Sequence, residues 1–197
     1  FKTRDGAEVK LIDVLSESIA RAFTVVGNKN PDLPEETRQE IARVVGVGAV
    51  KYAELSKNRM TDYIFDWDAM LSFEGNTAPY LQYAYSRIRS MFRRAGISPG
   101  SLAPAVSIAA DQERVLAVKL LQFFEAVEQV TDDYQANVLC GYLYELAQNF
   151  MSFYEACPVL NADQPAVQNS RLVICALAAR TLARGLDLLG IETVEQM

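Results

Sequence analysis

A chain of 197 residues, half of them apolar, has material for one large domain or two small ones, which excludes a disordered tail. Its formal charge of −6 argues against a general nucleic-acid binder. The absence of any histidine removes imidazole acid/base catalysis, Ser-His and Cys-His nucleophiles, Glu-x-x-His bundle metal sites and most zinc and non-haem iron sites.

From Val9 onward, Leu11, Ile12, Leu15, Ile19, Phe23 and Val26 recur at helical spacing, and the pattern predicts a helix ending at Gly27. Asp32 and Pro34 open a second helix with the stripe Ile41, Val44, Val45, Val50, Leu55, and Pro34 suits a first turn. Gly46 and Gly48 inside it are costly by up to about 1 kcal/mol each against alanine, which points to close backbone contact or a kink. The run TDYIFDWD reads as an extended joint, with Trp67 as a core anchor and Asp66 and Asp68 as caps or ion-pair partners rather than catalytic carboxylates. A short helix through Met70 and Leu71 follows, and Gly75 and Asn76 punctuate the chain. Thr77 is a candidate N-cap for a helix reaching about Ala95. GISPGSLAPA is a linker. Three long helices then carry Leu116, Leu120, Phe123, Val127, Val130; Leu139, Leu143, Leu146, Phe150, Phe153, ending at Pro158; and Leu172, Leu182, Leu186, from about Asp163 and Pro165 to Gly190. Asp132 and Asp133 are read as carboxylates at a helix start. The prediction is an all-α bundle with antiparallel neighbours, preceded by a smaller helical piece, with the boundary at Gly75–Asn76: 1–75 and 76–197.

The charge is uneven. Residues 77–100 hold four arginines and no acid, whereas residues 101–170 hold nine acids against Arg114 and Lys119. On the 77–95 helix Tyr80, Tyr83 and Arg87 share a row that Ser90 and Arg94 continue, beside the apolar row Leu81, Ala84, Ile88, Met91. Tyr85, Arg89 and Arg93 lie on the far flank of that apolar row. Rings and guanidinium planes on one surface suit unstacked bases and phosphates of single-stranded RNA, at roughly 1–3 kcal/mol per stacked base. A helix with half-buried tyrosines and solvated arginines reads the same way in sequence. Tyr142 and Tyr144 sit off the Leu139–Leu143–Leu146 stripe, with the amides of Gln148 and Asn149 nearby, while Phe150, Phe153 and Tyr154 read as core.

VGAVKYAELSKNRMTDYIFDWDAMLSFEGNTAPYLQYAYSRIRSMFRRA, YELAQNFMSFYEACPVL and RTLARGLDLLGIETVEQM together resemble the class I arginyl-tRNA synthetases, from the end of the catalytic region through the anticodon-binding bundle. The resemblance covers essentially the whole chain. FKTRDG resembles the tail of that family's KMSKS loop, with Lys2, Thr3 and Arg4 as an ATP-loop remnant. Thr3 stands where a lysine is the reference, and the first lysine of the motif would precede Phe1. The family's HIGH element, arginine pocket and nucleotide-binding sheet are absent, so no catalytic residue is expected in this stretch, no metal site, and no cofactor bound to it. The resemblance implies tRNA(Arg) as partner, with arginine, ATP and magnesium used by the full-length enzyme. It places tRNA contacts on the 77–95 helix, at Tyr80, Gln82, Tyr83, Arg87 and Arg94, and at Met197 with Gln196, since the family's chain ends near the anticodon loop; Tyr142 and Gln148, off the stripe of the second long helix, are further candidates. A monomer in the cytoplasm is expected, with Cys140, Cys157 and Cys175 as reduced core residues. No apolar run approaches the roughly 20 residues of a membrane span, and no segment resembles a signal peptide. The alternative from another class is a helical protein–protein module that does not bind tRNA.

Overall fold

A computed structural model of the chain describes residues 10–197, and the expected ATP-loop remnant at Lys2, Thr3 and Arg4 lies outside them. Among the described residues the regular elements are α1 (Leu11–Lys29), α2 (Glu35–Leu55), α3 (Trp67–Met70), α4 (Ala78–Ala95), α5 (Asp111–Leu121), α6 (Phe123–Asp133), α7 (Ala136–Ala156) and α8 (Pro165–Leu188), with a single 3-10 turn at Pro99–Ser101 and no strand. None of these helices is long and apolar enough to cross a membrane.

Helices α1 and α2 form a hairpin closed on each other along their length. The helical glycine Gly46 explains how close they come. A Cβ there would sit 2.8 Å from the Cα and N of Ile19 and 2.9 Å from the carbonyl carbon of Ser18, and Ser18 Oγ donates to the Gly46 carbonyl at 2.8 Å. Because the obstruction is backbone, neither a rotamer change nor a small shift relieves it. Gly46→Val is expected to destabilise the chain by about 1–3 kcal/mol even though it removes a poorer helix former, read as a lower urea or thermal midpoint. An unchanged midpoint would show that α1 can move away freely.

The smaller apolar cluster, with Ala22, Val26, Ile41, Val45, Met70 and Leu71, lies under α1, α2 and α3. Asp66 caps α3 by accepting from the Ala69 N–H at 2.9 Å. Trp67 is half-buried, edge-on to Phe65 at 4.8 Å and beneath the Arg21 guanidinium at 5.2 Å. The larger cluster joins Leu81, Ile88, Met91, Leu116, Leu143 and Leu182 from α4, α5, α7 and α8. Tyr52 of α2 reaches into it, its hydroxyl 2.6 Å from Asn76 Oδ1 and 2.9 Å from the Cys140 carbonyl oxygen. Cys140, Cys157 and Cys175 are buried free thiols.

Three readings of the sequence are revised. The first helix runs past Gly27 to Lys29. The helix predicted through Leu116–Val130 breaks at Gln122 (φ −79°, ψ 0°), which divides it into α5 and α6. At the break, Phe123 keeps its ring in the bundle against Tyr142, 5.8 Å away. Asp132 and Asp133 lie at the C-terminal end of α6, not at a helix start, because Tyr134 turns the chain at φ 54°.

The linker after α4 is held down rather than free. Asn169, at the start of α8, donates to the Ala103 carbonyl and accepts from its N–H, and Ser170 does the same for Ser107. Beyond α8, Gly190 at φ 67° reverses the chain, and Ile191 inserts into the larger core.

Candidate functional site

Thr77 opens α4 by accepting from the Tyr80 N–H at 3.2 Å, and Gly96 at φ 65° closes it after Ala95, as the sequence predicts. Leu81, Ala84, Ile88 and Met91 are sealed in the core. The neighbouring row, Tyr80, Tyr83 and Arg87, is half-buried and opens to the surface, with Arg94 exposed at its end.

Side chains from α1, α7 and the segment before α4 complete that row. Tyr80 packs edge-on to Tyr144 with ring centres 5.7 Å apart, and exposed Gln148 donates to the Tyr144 hydroxyl at 3.0 Å. Tyr83 packs edge-on to Phe73 at 6.2 Å, and Lys29 Nζ lies 4.6 Å from the Phe73 ring centre. The Arg87 guanidinium lies 4.9 Å from the Tyr154 ring centre, with Nη1 3.5 Å from the Tyr83 hydroxyl. Because Tyr80 meets Tyr144 and Arg87 meets Tyr154, α4 and α7 run in the same direction, and their rings form one strip. Phe73, Lys29 and Tyr154 belong to this strip although helical periodicity did not select them. Phe73 sits outside any helix, Lys29 lies past the expected helix end, and Tyr154 follows the core residue Phe153 in sequence.

Two expected contact residues belong instead to the interior. Gln82 is 0 % exposed and donates to the carbonyls of Val44 and Glu192, at 3.3 and 2.8 Å. The sequence showed one apolar row on α4, but α2 and the C-terminal tail cover a second side, and that burial takes in Gln82 and Ser86. Tyr142 is buried on the α5 side of α7, where its hydroxyl donates to the Lys119 carbonyl at 2.8 Å, so Tyr144 is the tyrosine of that pair that faces α4.

The far-flank arginines are already engaged. Glu195 accepts from Arg89 Nε at 2.8 Å, from Tyr85 at 3.1 Å and from Arg93 at 3.4 Å, and Glu192 takes both terminal nitrogens of Arg43 at 2.8 and 3.0 Å. Val194 and Met197 pack on the smaller core cluster, so the last residues form a strap that leaves the side chain of Met197 half-exposed. Of the four arginines on α4, Arg87 and Arg94 are those without an acidic partner among the described residues.

The two carboxylates of the strap should make it sensitive to acid. Partial burial pulls the Glu195 carboxyl up, but hydrogen bonds from Arg89 and Tyr85 and the nearby charges of Arg89 and Arg93 outweigh it and hold the group below its usual range. The hydrogen bonds from Arg43 do the same for Glu192. A carboxyl with a lower pKa folded than unfolded gives stability that is complete above its unfolded value, near 4.3, and lost as pH falls through the folded one. Thermal midpoints recorded from pH 6 downward are therefore expected to fall less steeply for a Glu192→Gln/Glu195→Gln variant than for the parent, chiefly below about pH 5. Parallel curves would mean that the strap contributes nothing.

The described residues thus form an all-α bundle with a ring-and-guanidinium strip on one side and the last strap folded over the flank of α4. Residues 81–197 match the family model described as the DALR anticodon binding domain, and the chain belongs to that family. Residues 1–67 match the model described as tRNA synthetases class I (R), catalytic domain. Over its full length the chain is 58% identical to an arginine–tRNA ligase of Actinobacillus succinogenes and 56% identical to that of Proteus mirabilis, spanning 34% of each relative as its C-terminal part. Among solved structures it superposes on Thermus thermophilus arginyl-tRNA synthetase with a TM-score of 0.89 at 39% identity, covering 96% of this chain and 32% of that one. The arginyl-tRNA synthetase of Plasmodium falciparum gives a TM-score of 0.84 at 30% identity, covering 96% and 34%.

Proposed function

We propose that the chain is the C-terminal part of an arginine–tRNA ligase and holds the anticodon arm of tRNA(Arg). The observation that carries this reading is the strip Tyr80–Tyr83–Arg87 on α4, open to solvent between aromatic partners from α7 and Phe73, in a chain of the anticodon-binding family. Bases of a looped strand stack on exposed ring faces, while Arg87 and Arg94 hold phosphate. Gln148 stands at the margin to bond a base edge, and the half-exposed thioether of Met197 supplies an apolar contact at the end of the strap.

The division at 75/76 separates the end of the catalytic region from the anticodon-binding bundle. In the complete ligase, arginine and ATP give arginyl-adenylate and pyrophosphate, and the arginyl group then passes to the terminal adenosine of the tRNA. Magnesium accompanies ATP in the preceding catalytic region, with the loop at Lys2, Thr3 and Arg4 beside the triphosphate. None of the groups described here takes part in those bond changes. The ligase works as a cytoplasmic monomer, a setting that suits three buried free thiols.

Binding of the chain to an unmodified tRNA(Arg) anticodon stem-loop tests the reading. Affinity is expected to exceed that for a stem-loop of scrambled loop sequence and to fall steeply with salt, by roughly one decade in affinity per decade in salt for each phosphate neutralised. Absence of RNA binding together with salt-insensitive self-association would establish the rival, a helical protein–protein module.

A further inference from the structure

Helices α5 and α6 turn Leu116, Leu120, Phe123 and Val127 toward the bundle, which is the full helical stripe needed to close the core on that side. Their outward half carries four more large apolar residues. Val115 and Val118 are 52% and 51% exposed, and Leu121 and Phe124 are 80% exposed. The Phe124 ring packs edge-on against Phe123 at 5.8 Å and Val115 borders a cleft with Asn149 and Ser152 of α7, but most of their apolar surface stays open, and apolar groups this exposed mark interaction surfaces. The exposed charges on these two helices are mostly carboxylates. Asp111, Glu125, Glu128, Asp132 and Asp133 are exposed and form no ion pair among the described residues. Asp132 and Asp133 add to the negative end of the α6 dipole. Of the two cations in α5, Lys119 is paired with Glu145, which leaves Arg114, and at the far end of α6 Arg59 donates to the Tyr134 carbonyl at 3.1 Å.

Five carboxylates against Arg114 and Arg59 disfavour phosphate here. Helix α7 packs against both α4 and the α5–α6 pair and stands between the two surfaces. We propose that the outward face of α5–α6 docks an amphipathic helix of a partner protein, with apolar side chains on Val118, Leu121 and Phe124 and lysine or arginine over the surrounding carboxylates. Charge complementarity selects this occupant: exposed apolar side chains on helices with an excess of free carboxylates are the counterpart of a basic amphipathic helix. A second copy of the chain would bring the same negative charge to the contact. The inference is independent of the RNA reading, since it uses other residues.

The probe is a synthetic 18-residue helix with leucines on one face and lysines on the other, titrated into the 197-residue chain and into full-length protein. The expected result is binding to both that weakens with salt and falls at least tenfold in a Leu121→Ser/Phe124→Ser variant. A matching leucine–glutamate helix is expected not to bind. The double variant alters exposed positions, and its circular dichroism and its anticodon stem-loop affinity should match the parent. The proposal is overturned by several results. These are no binding, equal binding of the acidic helix, or binding that the double variant leaves intact. Others are binding to the isolated chain but not to the full-length protein, which would make the occupant the protein's own preceding sequence, and parent self-association abolished by the double variant, which would make it a second copy. Protection of Leu121 and Phe124 by the stem-loop would make it RNA.

Discussion

Glu113→Ala is expected to destabilise the chain by roughly 3–5 kcal/mol, the range for breaking a buried ion pair from one side. Glu113 has a 0% exposed side chain and three donors: the N–H groups of Ala109 and Ala110 at 2.6 and 3.1 Å, and Arg171 Nε at 2.6 Å. Burial pushes its carboxyl up, but the bond from Ala109, then Arg171, then Ala110, more than reverses this, and the group is held below the usual carboxylate range. Removing it leaves the Arg171 guanidinium, itself 12% exposed, without a counter-charge, and strips the cap from α5. Two consequences should follow. The thermal midpoint drops by on the order of 10 °C for a chain this size. The 97–110 linker loosens from α8, because Glu113 completes the series of linker contacts that Asn169 and Ser170 begin, and its amides then exchange faster with deuterium. Glu113→Gln keeps an acceptor for the two N–H groups and should fall between. A Glu113→Ala variant within about 1 kcal/mol of the parent would mean that water replaces the carboxylate and that the site is not sealed.

Arg87→Ala should weaken anticodon stem-loop binding by about 10–100-fold, the loss of a charge-assisted contact of roughly 1.5–3 kcal/mol. It should also lower the slope of log affinity against log salt by about 0.7–0.9, the contribution of one phosphate. Stability should change little, since a partly exposed cation–π contact such as that with Tyr154 contributes about 0.5–1 kcal/mol. Arg89→Ala is the informative comparison. Arg89 lies on the same helix and carries the same charge, but Glu195 already neutralises it. Its salt slope should stay near that of the parent. Fluorescence anisotropy from about 50 to 200 mM salt measures both variants. Equal losses of slope at the two positions would show that RNA displaces the strap and uses the whole arginine cluster.

The positions at which sequence and structure part company share a cause. Gln82 sits in a polar slot of an amphipathic helix, and the 3.6-residue period puts it outside the apolar row. Its burial follows from α2 and the strap arriving on a second side, from 38 residues before it and 110 residues after it. Arg89 and Arg93 look like the natural complement of Arg87 in a basic run, yet they belong to Glu195, more than 100 residues away. Tyr142 and Tyr144 differ by two residues and by 200° around α7, and only the positions of α5 and α4 decide which is buried. Gly46, by contrast, announced itself, because a glycine inside a helical stripe implies a neighbour too close for a Cβ.

The sequence by itself determined the local matters: α4 and α8 begin and end close to their expected capping or turn residues, the apolar stripes fill the core, and the motifs mark the family. Those properties depend on caps, turns and side-chain period within about one helix length. Only the tertiary structure decided which cations remain free, which tyrosines face outward and where the last residues lie. Each of these is a pairing between distant segments, and the chain pattern records that a charge or ring is present but not which partner reaches it.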